Sequence, residues 1–161
     1  MKPRSSTIEL PGIRELLSYR LHVVANLLSR GAELRYRREF GVSLWEWRTV
    51  ALLGGAEGPM SLGALARAAG IDKGQMSRVV SGLAARRLVL RAIDADDARG
   101  VRLTLTRAGR SLYAGLIRAA AERNDAFLGC LSAKERAGFL EALDRLGARA
   151  RGLIEGERGA Q

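Results

Sequence analysis

The polar and basic residues between Asp72 and Ser81 are of types that contact nucleic acids. Lysine and arginine pair with phosphates, whereas serine and glutamine side chains hydrogen-bond to phosphates or to base edges. A glycine among them would let the backbone approach a ligand closely. The candidate DNA-contacting residues of this run are Asp72, Lys73, Gly74, Gln75, Ser77, Arg78 and Ser81. The same residues would also suit an ordinary solvated helix face.

An arginine, Arg99, lies close to the tip of a predicted β-hairpin. A tight turn alone would need only Asn-Gly or Asp-Gly. Because the negative potential of a DNA minor groove attracts arginine, we expect Arg99 to enter a minor groove. Asp97, two residues earlier, could hold the loop or the guanidinium by a charge-assisted hydrogen bond. A solvated loop charge is the alternative for Arg99.

Catalytic chemistry finds little support in the sequence. There is no glycine-rich phosphate loop, no metal-ligand cluster and no serine or cysteine at a persuasive spacing from a histidine. Asp96 and Asp97 lie at the hairpin tip beside an arginine, a poor place to shield a general acid. Cys130 is the only cysteine and can form no internal disulfide. We therefore expect neither an enzyme nor a bound metal or cofactor.

Capping signals and hydrophobic periodicity predict the elements that position these residues. Apolar residues at spacings of three and four predict a long amphipathic helix over about residues 13–38, which Gly41 ends. Ser43, with Glu46 three residues later, forms a capping-box signal. A second helix should therefore run from Leu44 to about Leu53.

Two short helices are predicted next, and together they form a helix-turn-helix. Ser61, also a candidate DNA contact, can cap the first over Leu62–Ala69, and Gly70 suits the left-handed residue that ends it. Asp72 can cap the second helix, with Gln75 at the capping-box position. The buried stripe expected on the second helix comprises Met76, Val79, Val80 and Leu83.

A β-hairpin is predicted after the helix-turn-helix. Apolar and polar residues alternate in VRLTLT, which indicates a strand with one packed face. The preceding run supplies a second strand, and residues 94–100 form the tip. A two-stranded hairpin is marginal alone, so it should pack against the helix-turn-helix. The residues expected to pair on the packed face are Leu88, Leu90, Val101, Leu103 and Leu105.

Long helices flank this central region. The chain returns to helix after Thr106, and Ser132 with Glu135 gives a capping-box signal for the last helix. The apolar stripe of the last helix comprises Phe139, Leu143, Leu146 and Ile154. Because an exposed apolar stripe usually marks a partner surface, we predict a dimerisation region over about residues 10–40 and 107–156. A monomeric helical core is the alternative.

The chain is strongly basic, with 27 basic and 17 acidic residues and a net charge of +10 over 161 residues. This charge favours an anionic partner, although its even spread along the chain also suits a merely basic soluble protein. The length predicts one domain over residues 1–161. No apolar run approaches the roughly 20 residues of a membrane span. The N-terminus lacks a signal-peptide pattern, so a cytoplasmic location is expected.

The region of about residues 43–110 resembles the MarR family of winged helix-turn-helix transcriptional regulators. The resemblance rests on LGALARAAGI, MSRVVSGL and RLTLTRAG, and on Asp97 with Arg99 in the wing. It implies a mainly α fold with a small β-hairpin wing. Residues 43–106 would form the winged helix-turn-helix DNA-binding region, between N- and C-terminal dimerisation helices.

The resemblance also implies a function. Family members are homodimers that bind a roughly palindromic operator in double-stranded DNA, often as repressors that a small, often aromatic, ligand releases. Residues 72–78 would begin the recognition helix, Arg99 would be the wing-tip arginine, and Asp97 would be its partner position. The alternative function is a nonspecific DNA-binding architectural protein.

Two positions depart from the family pattern. Arg87 stands where relatives often have glycine, so a left-handed turn there would be strained, and Gly82 stands where many have a polar or basic residue. The candidate effector-binding residues are Tyr19, His22 and Trp45. A lone helix histidine more often packs or lies in solvent, and one of the two tryptophans is expected to pack into the core.

Overall fold

The computed structural model describes residues 12–93 and 100–159. Within these described residues, a short 3-10 turn precedes six helices and three strands. The helices are α1 (Leu17–Phe40), α2 (Leu44–Gly55), α3 (Leu62–Ala69), α4 (Lys73–Ala85), α5 (Arg107–Leu128) and α6 (Ala133–Gly159). The strands are β1 (Met60–Ser61), β2 (Val89–Ile93) and β3 (Val101–Leu105). The predicted fold class, mainly α with a small β-hairpin wing, is confirmed. The chain divides within α5, after Leu116, into two compact units.

The helix N-termini form as the capping signals predict. Ser43 Oγ accepts the Glu46 N–H at 3.2 Å, and the Glu46 carboxylate accepts the Ser43 N–H at 2.8 Å. This reciprocal pair is a capping box that satisfies donors at the start of α2. Ser61 Oγ accepts the Ala64 N–H at 3.1 Å at the start of α3.

The helix C-termini use left-handed residues, one of which is an arginine. Gly41 and Gly70 end α1 and α3 with φ angles of 63° and 70°. Arg87, just after α4, has a φ of 56°. Its N–H donates to Ala84 O, and the Leu88 N–H donates to Leu83 O, both at 2.9 Å, which is the Schellman pattern. Arg87 therefore adopts a left-handed conformation that glycine normally adopts, and its side chain makes this conformation sterically unfavourable.

The sheet has three antiparallel strands in the order β1-β3-β2, one more than the sequence predicts. Met60 pairs with Leu103, so the two residues of β1 extend the hairpin. The predicted inward face of β2 is wrong by one residue. Val89, opposite Leu105, is buried, whereas Leu90 lies opposite Thr104 and is 56% exposed. Adjacent strand residues point to opposite faces, so this single-residue shift exchanges the two faces of the strand.

The core of the first unit lies where α2, α3 and α4 meet the sheet. The stripe on α4 is buried at Met76, Val80 and Leu83, as predicted, with Val79 half-buried. Thr49 of α2 is fully buried and donates to Met76 Sδ at 3.6 Å. The remaining fully buried large residues of this unit are Val42, Val50, Leu65, Leu103, Leu105 and Leu116. This packing fixes which face of α4 remains outside.

The start of α5 is held tightly against the turn that follows α4. Thr106 Oγ1 accepts the Gly109 N–H at 2.9 Å and donates to Arg87 O at 2.8 Å. A Cβ on Gly109 would lie 2.0 Å from Leu88 O, so only glycine fits there. This contact joins α5 to the beginning of β2.

The terminal helices are far less buried. Helix α6 has no buried residue among its 27, although Ser132 and Glu135 form the predicted capping contacts at its start. In α1 the only buried residues are Ala32 and Tyr36. Among the described residues, no helix combines the length and apolarity needed to cross a membrane.

Candidate nucleic-acid interface

The outer face of α4 presents most of the polar residues that the sequence singles out. With Met76, Val80 and Leu83 in the core, the opposite side of the helix faces solvent. The exposed candidates are Lys73, Gly74, Arg78 and Ser81, and the half-buried ones are Gln75 and Ser77. The helix thus offers amide, hydroxyl and cationic groups at its first two turns, where a helix entering a major groove meets the bases.

Two of the candidate residues are N-caps of helices. Asp72 accepts the Gln75 N–H at 2.8 Å as the N-cap of α4. Ser61 is exposed and uses its Oγ to cap α3. These contacts satisfy backbone donors at the starts of α3 and α4, and the DNA-contacting role of both residues stays a prediction.

A basic cleft lies beside the start of α4. Its volume is about 390 Å³, and we use the name basic cleft for the space enclosed by Ser61, Leu62, Gly63, Arg67, Lys73, Arg91, Gly100, Val101 and Leu103. Ser61 and Lys73 are candidates from the sequence, whereas Arg67 and Arg91 are not. The sequence offers a weak signal for Arg67, a lone cation on an otherwise apolar short helix. Arg91 depends on the register of β2, which the sequence pattern misplaces.

Asp96, Asp97 and Arg99, the predicted hairpin-tip residues, lie outside the described residues. The described part of the hairpin reaches Ile93 on one side and Gly100 on the other. The roles expected for the wing-tip arginine and its aspartate partner stay predictions.

The candidate effector residues lie on two helices. Tyr19 borders a shallow surface groove on α1 together with Arg14, Val23 and Val24. His22 makes a 2.8 Å contact between its ring Nε2 and Asn26 Nδ2. Trp45 on α2 lies under the guanidinium of Arg48, 4.9 Å from the ring centroid. Their role in binding an effector stays a prediction.

An apolar groove lies on the surface between α2 and α3. It has a volume of about 300 Å³, and its lining comprises Trp47, Arg48, Ala51, Leu52, Ala68 and Ala69. Trp47 packs its ring 5.2 Å from that of buried Tyr36. The tryptophan at this groove is thus Trp47, the one the sequence analysis does not select. Within the described residues, no cluster of histidine, cysteine and carboxylate side chains could hold a metal ion.

The chain is similar in sequence and in fold to known proteins. The model of the MarR family matches residues 40–100, which include the helix-turn-helix. A MarR/EmrR family transcriptional regulator from Acinetobacter sp. ADP1 superposes with a TM-score of 0.79 at 24% identity, covering 88% of this chain and 99% of its own. A MarR family regulator from Silicibacter pomeroyi gives 0.71 at 26% identity, with 86% and 92% covered.

A third similar structure contains nucleic acid. The complex of MepR from S. aureus with DNA superposes with a TM-score of 0.76 at 18% identity, covering 83% of this chain and 98% of MepR. No curated protein matches the sequence.

Proposed function

We propose that this chain is a regulator of the MarR family, which its family-model match and its similar structures support. In this proposal it is a homodimeric repressor that binds a palindromic operator and is released by a small ligand. The observation that carries this proposal is the outer face of α4. Its apolar stripe is buried while Lys73, Arg78 and Ser81 stay exposed beside a basic cleft. An entire helix face is thus free to enter a major groove.

Double-stranded DNA is the proposed partner. The net charge of +10 supports a polyanionic ligand, and the complex of MepR with DNA gives a precedent with the same fold. In a two-fold symmetric dimer, the two copies of α4 would enter successive major grooves about 34–36 Å apart. Each wing would then carry Arg99 towards a minor groove.

The dimer is proposed to form through α1, α5 and α6. The apolar residues of α6 support this, since Phe139, Leu153 and Ile154 are exposed in the single chain. An exposed apolar stripe of this length normally marks a surface that a partner protein covers. We propose that residues about 10–40 and 107–156 supply that surface.

The ligand proposal concerns a small, possibly aromatic, molecule. Tyr19 and His22 on α1, with Trp45 on α2, are the proposed effector contacts. Their aromatic rings support stacking with an aromatic ligand. Ligand binding would shift the population of dimers away from the DNA-binding arrangement.

The testing experiment is a selection of bound sequences from a random duplex library. The selected duplex and a scrambled duplex are then titrated at one fixed salt concentration. The proposal expects a two-fold symmetric winner that binds at least about 1,000-fold tighter than the scrambled duplex, as specific recognition requires.

Equal affinity for both duplexes would instead assign the alternative function, a nonspecific DNA-binding architectural protein, which the spread of positive charge favours. With a selected duplex available, candidate aromatic ligands can be screened for release of the protein. Tyr19→Ala should then weaken release without weakening DNA binding.

A further inference from the structure

The basic cleft brings together cations from three separate elements. Arg67 comes from the last turn of α3, Lys73 is the first residue of α4, and Arg91 is the central residue of β2. No local sequence pattern requires these residues to meet. Their convergence depends on the helix-turn-helix packing against the hairpin.

Two of the cations lie over the first turn of α3. The point where a Cβ on Gly63 would sit is 3.5 Å from Arg67 Nη1, 3.3 Å from Lys73 Cε and 3.9 Å from Lys73 Nζ. Two positive groups therefore approach one point on the helix backbone. The helix N-terminus adds partial positive charge at the same place.

The third cation, Arg91, is positioned by a hydrogen bond to a serine. Arg91 Nη1 donates to Ser81 Oγ at 3.4 Å, which ties the strand arginine to α4. Among the described residues that line the cleft, none is acidic. Within residues 12–93 and 100–159, no ion pair involves Arg67, Lys73 or Arg91.

The three positive charges in the cleft repel each other, and a bound anion would offset this electrostatic repulsion. Arginine offers paired N–H groups that match two oxygens of a phosphate, and lysine adds a point charge. A phosphate group therefore fits the chemistry of the cleft better than a single chloride does.

We propose that the basic cleft holds one phosphodiester group of the DNA backbone, bound jointly by Arg67, Lys73 and Arg91. The cleft shares Lys73 with the exposed face of α4, so a duplex that contacts this face carries its backbone past the cleft. This inference rests on the proposed function, because its occupant is part of the bound duplex. It adds Arg67 and Arg91 to the interface.

The test uses Arg67→Gln, Arg91→Gln and the double variant in the full-length protein. Arg158→Gln, in the last turn of α6 and outside the proposed dimer surface, is the control. Affinity for the selected and scrambled duplexes is measured across a range of salt concentrations. Each single variant should weaken binding to both duplexes by about tenfold, because phosphate contacts do not read sequence. The double variant should lose less than the product of the two single losses, since both arginines share one phosphate.

Replacing single duplex phosphates by neutral methylphosphonates identifies the occupant. One position in each half-site should weaken the wild-type protein and leave Arg67→Gln/Arg91→Gln nearly unchanged. If wild type binds DNA and both single variants match Arg158→Gln, the site proposal is overturned while the proposed function stands. No binding of any duplex by wild type would overturn both.

Inorganic phosphate distinguishes the other source of the same chemistry. Because the cleft fits phosphate better than chloride, replacing chloride by inorganic phosphate at equal ionic strength should weaken wild-type binding to DNA by competition, and this loss should be smaller in Arg67→Gln/Arg91→Gln. If inorganic phosphate competes with DNA in this Arg91-dependent way but no single methylphosphonate weakens wild-type binding, the cleft is assigned to a free phosphate ligand. That result would overturn a DNA phosphodiester as its occupant.

Discussion

Helices α4 and α6 carry apolar residues at the same helical spacing, yet only α4 has them buried. Met76, Val80 and Leu83 on α4 are at most 1% exposed, whereas Phe139 and Ile154 on α6 are 45% and 53% exposed. Helix α4 meets α2, α3 and the sheet within its own unit. An apolar stripe therefore predicts that a surface will be covered, but it does not say whether the same chain covers it.

This difference separates two sources of stability. The helix-turn-helix and sheet gain theirs from burial within one chain, since burying a large apolar side chain contributes roughly 1.5–3 kcal/mol. Helix α6 has no buried residue to contribute in that way. If its stripe is a dimer surface, the stability of α6 depends on protein concentration, and that of the core unit depends on it less.

The largest effect is expected from Gly109→Ala. The new Cβ would lie 2.0 Å from Leu88 O, a backbone atom that cannot move without shifting the start of β2. We expect the free energy of unfolding to fall by about 3 kcal/mol, the upper range for overpacking. Chemical denaturation followed by circular dichroism measures this change.

The matched control for that change is Gly138→Ala on α6. Among the described residues, nothing outside the adjacent backbone of α6 lies within 4 Å of a Cβ at Gly138, so alanine should fit and stabilise the helix by up to about 1 kcal/mol. Equal effects of the two substitutions would refute the contrast between a packed unit and an uncovered helix.

A second prediction concerns the α6 stripe itself. Leu146→Glu should weaken dimerisation at least about a hundredfold, because a two-fold interface buries the new charge twice. The fold of the core unit should be unaffected, since Leu146 is 38% exposed in the single chain. Sedimentation equilibrium gives the dissociation constant.

Leu146→Met is the control for the dimer prediction because it keeps the apolar area. Its dissociation constant should stay close to that of the wild type. A wild-type protein that is monomeric at every concentration would favour the monomeric alternative.

The elements that sequence reasoning predicted best are those determined by neighbouring residues. The Ser43 box, the Ser61 cap and the left-handed Gly70 each depend on a few adjacent positions. The errors lie where distant segments meet. Strand β1 has only two residues and forms because it pairs with β3. Which side chains of β2 point inward depends on the number of residues in the turn at Arg87.

In the candidate interface, too, local features were predictable and features that depend on distant segments were not. The exposed face of α4 was predictable because burying one stripe determines the opposite side of the helix. The contributions of Arg67 and Arg91 were not, since both depend on how α3 and β2 are placed beside α4. Long-range strand pairing and helix packing are the steps that a single sequence leaves undetermined.

A smaller effect is expected at the turn that precedes β2. Arg87→Gly should stabilise the protein by about 1 kcal/mol, because glycine adopts the positive φ of this position without the penalty of a side chain. Ala85→Gly, at the end of α4, is the control and should destabilise by about the same amount. Thermal melts of the two variants should shift in opposite directions. A loss of stability in Arg87→Gly would mean that the arginine side chain contributes contacts that outweigh the strain.

The smallest effect is expected from the cap of α6. Ser132 Oγ and the Ser132 N–H both donate to the Glu135 carboxylate, at 2.6 and 2.9 Å, and these hydrogen bonds lower its pKa below the ordinary value of 4.5. The charged form is therefore favoured in the folded helix. Its contribution is present above the ordinary pKa and is lost as the pH falls through the lowered one.

Glu135→Gln should accordingly show a small loss of α6 helicity at pH 7, and the difference from wild type should disappear in acid. Amide hydrogen exchange at the start of α6 measures this loss locally. Glu141→Gln, in the body of α6, removes the same charge away from the cap and is the control. A difference that persists at full protonation would assign the effect to packing of the side chain. If hydrogen exchange also changed throughout the core unit, the stability of α6 would be coupled to that of the core unit. That result would contradict the contrast between α4 and α6.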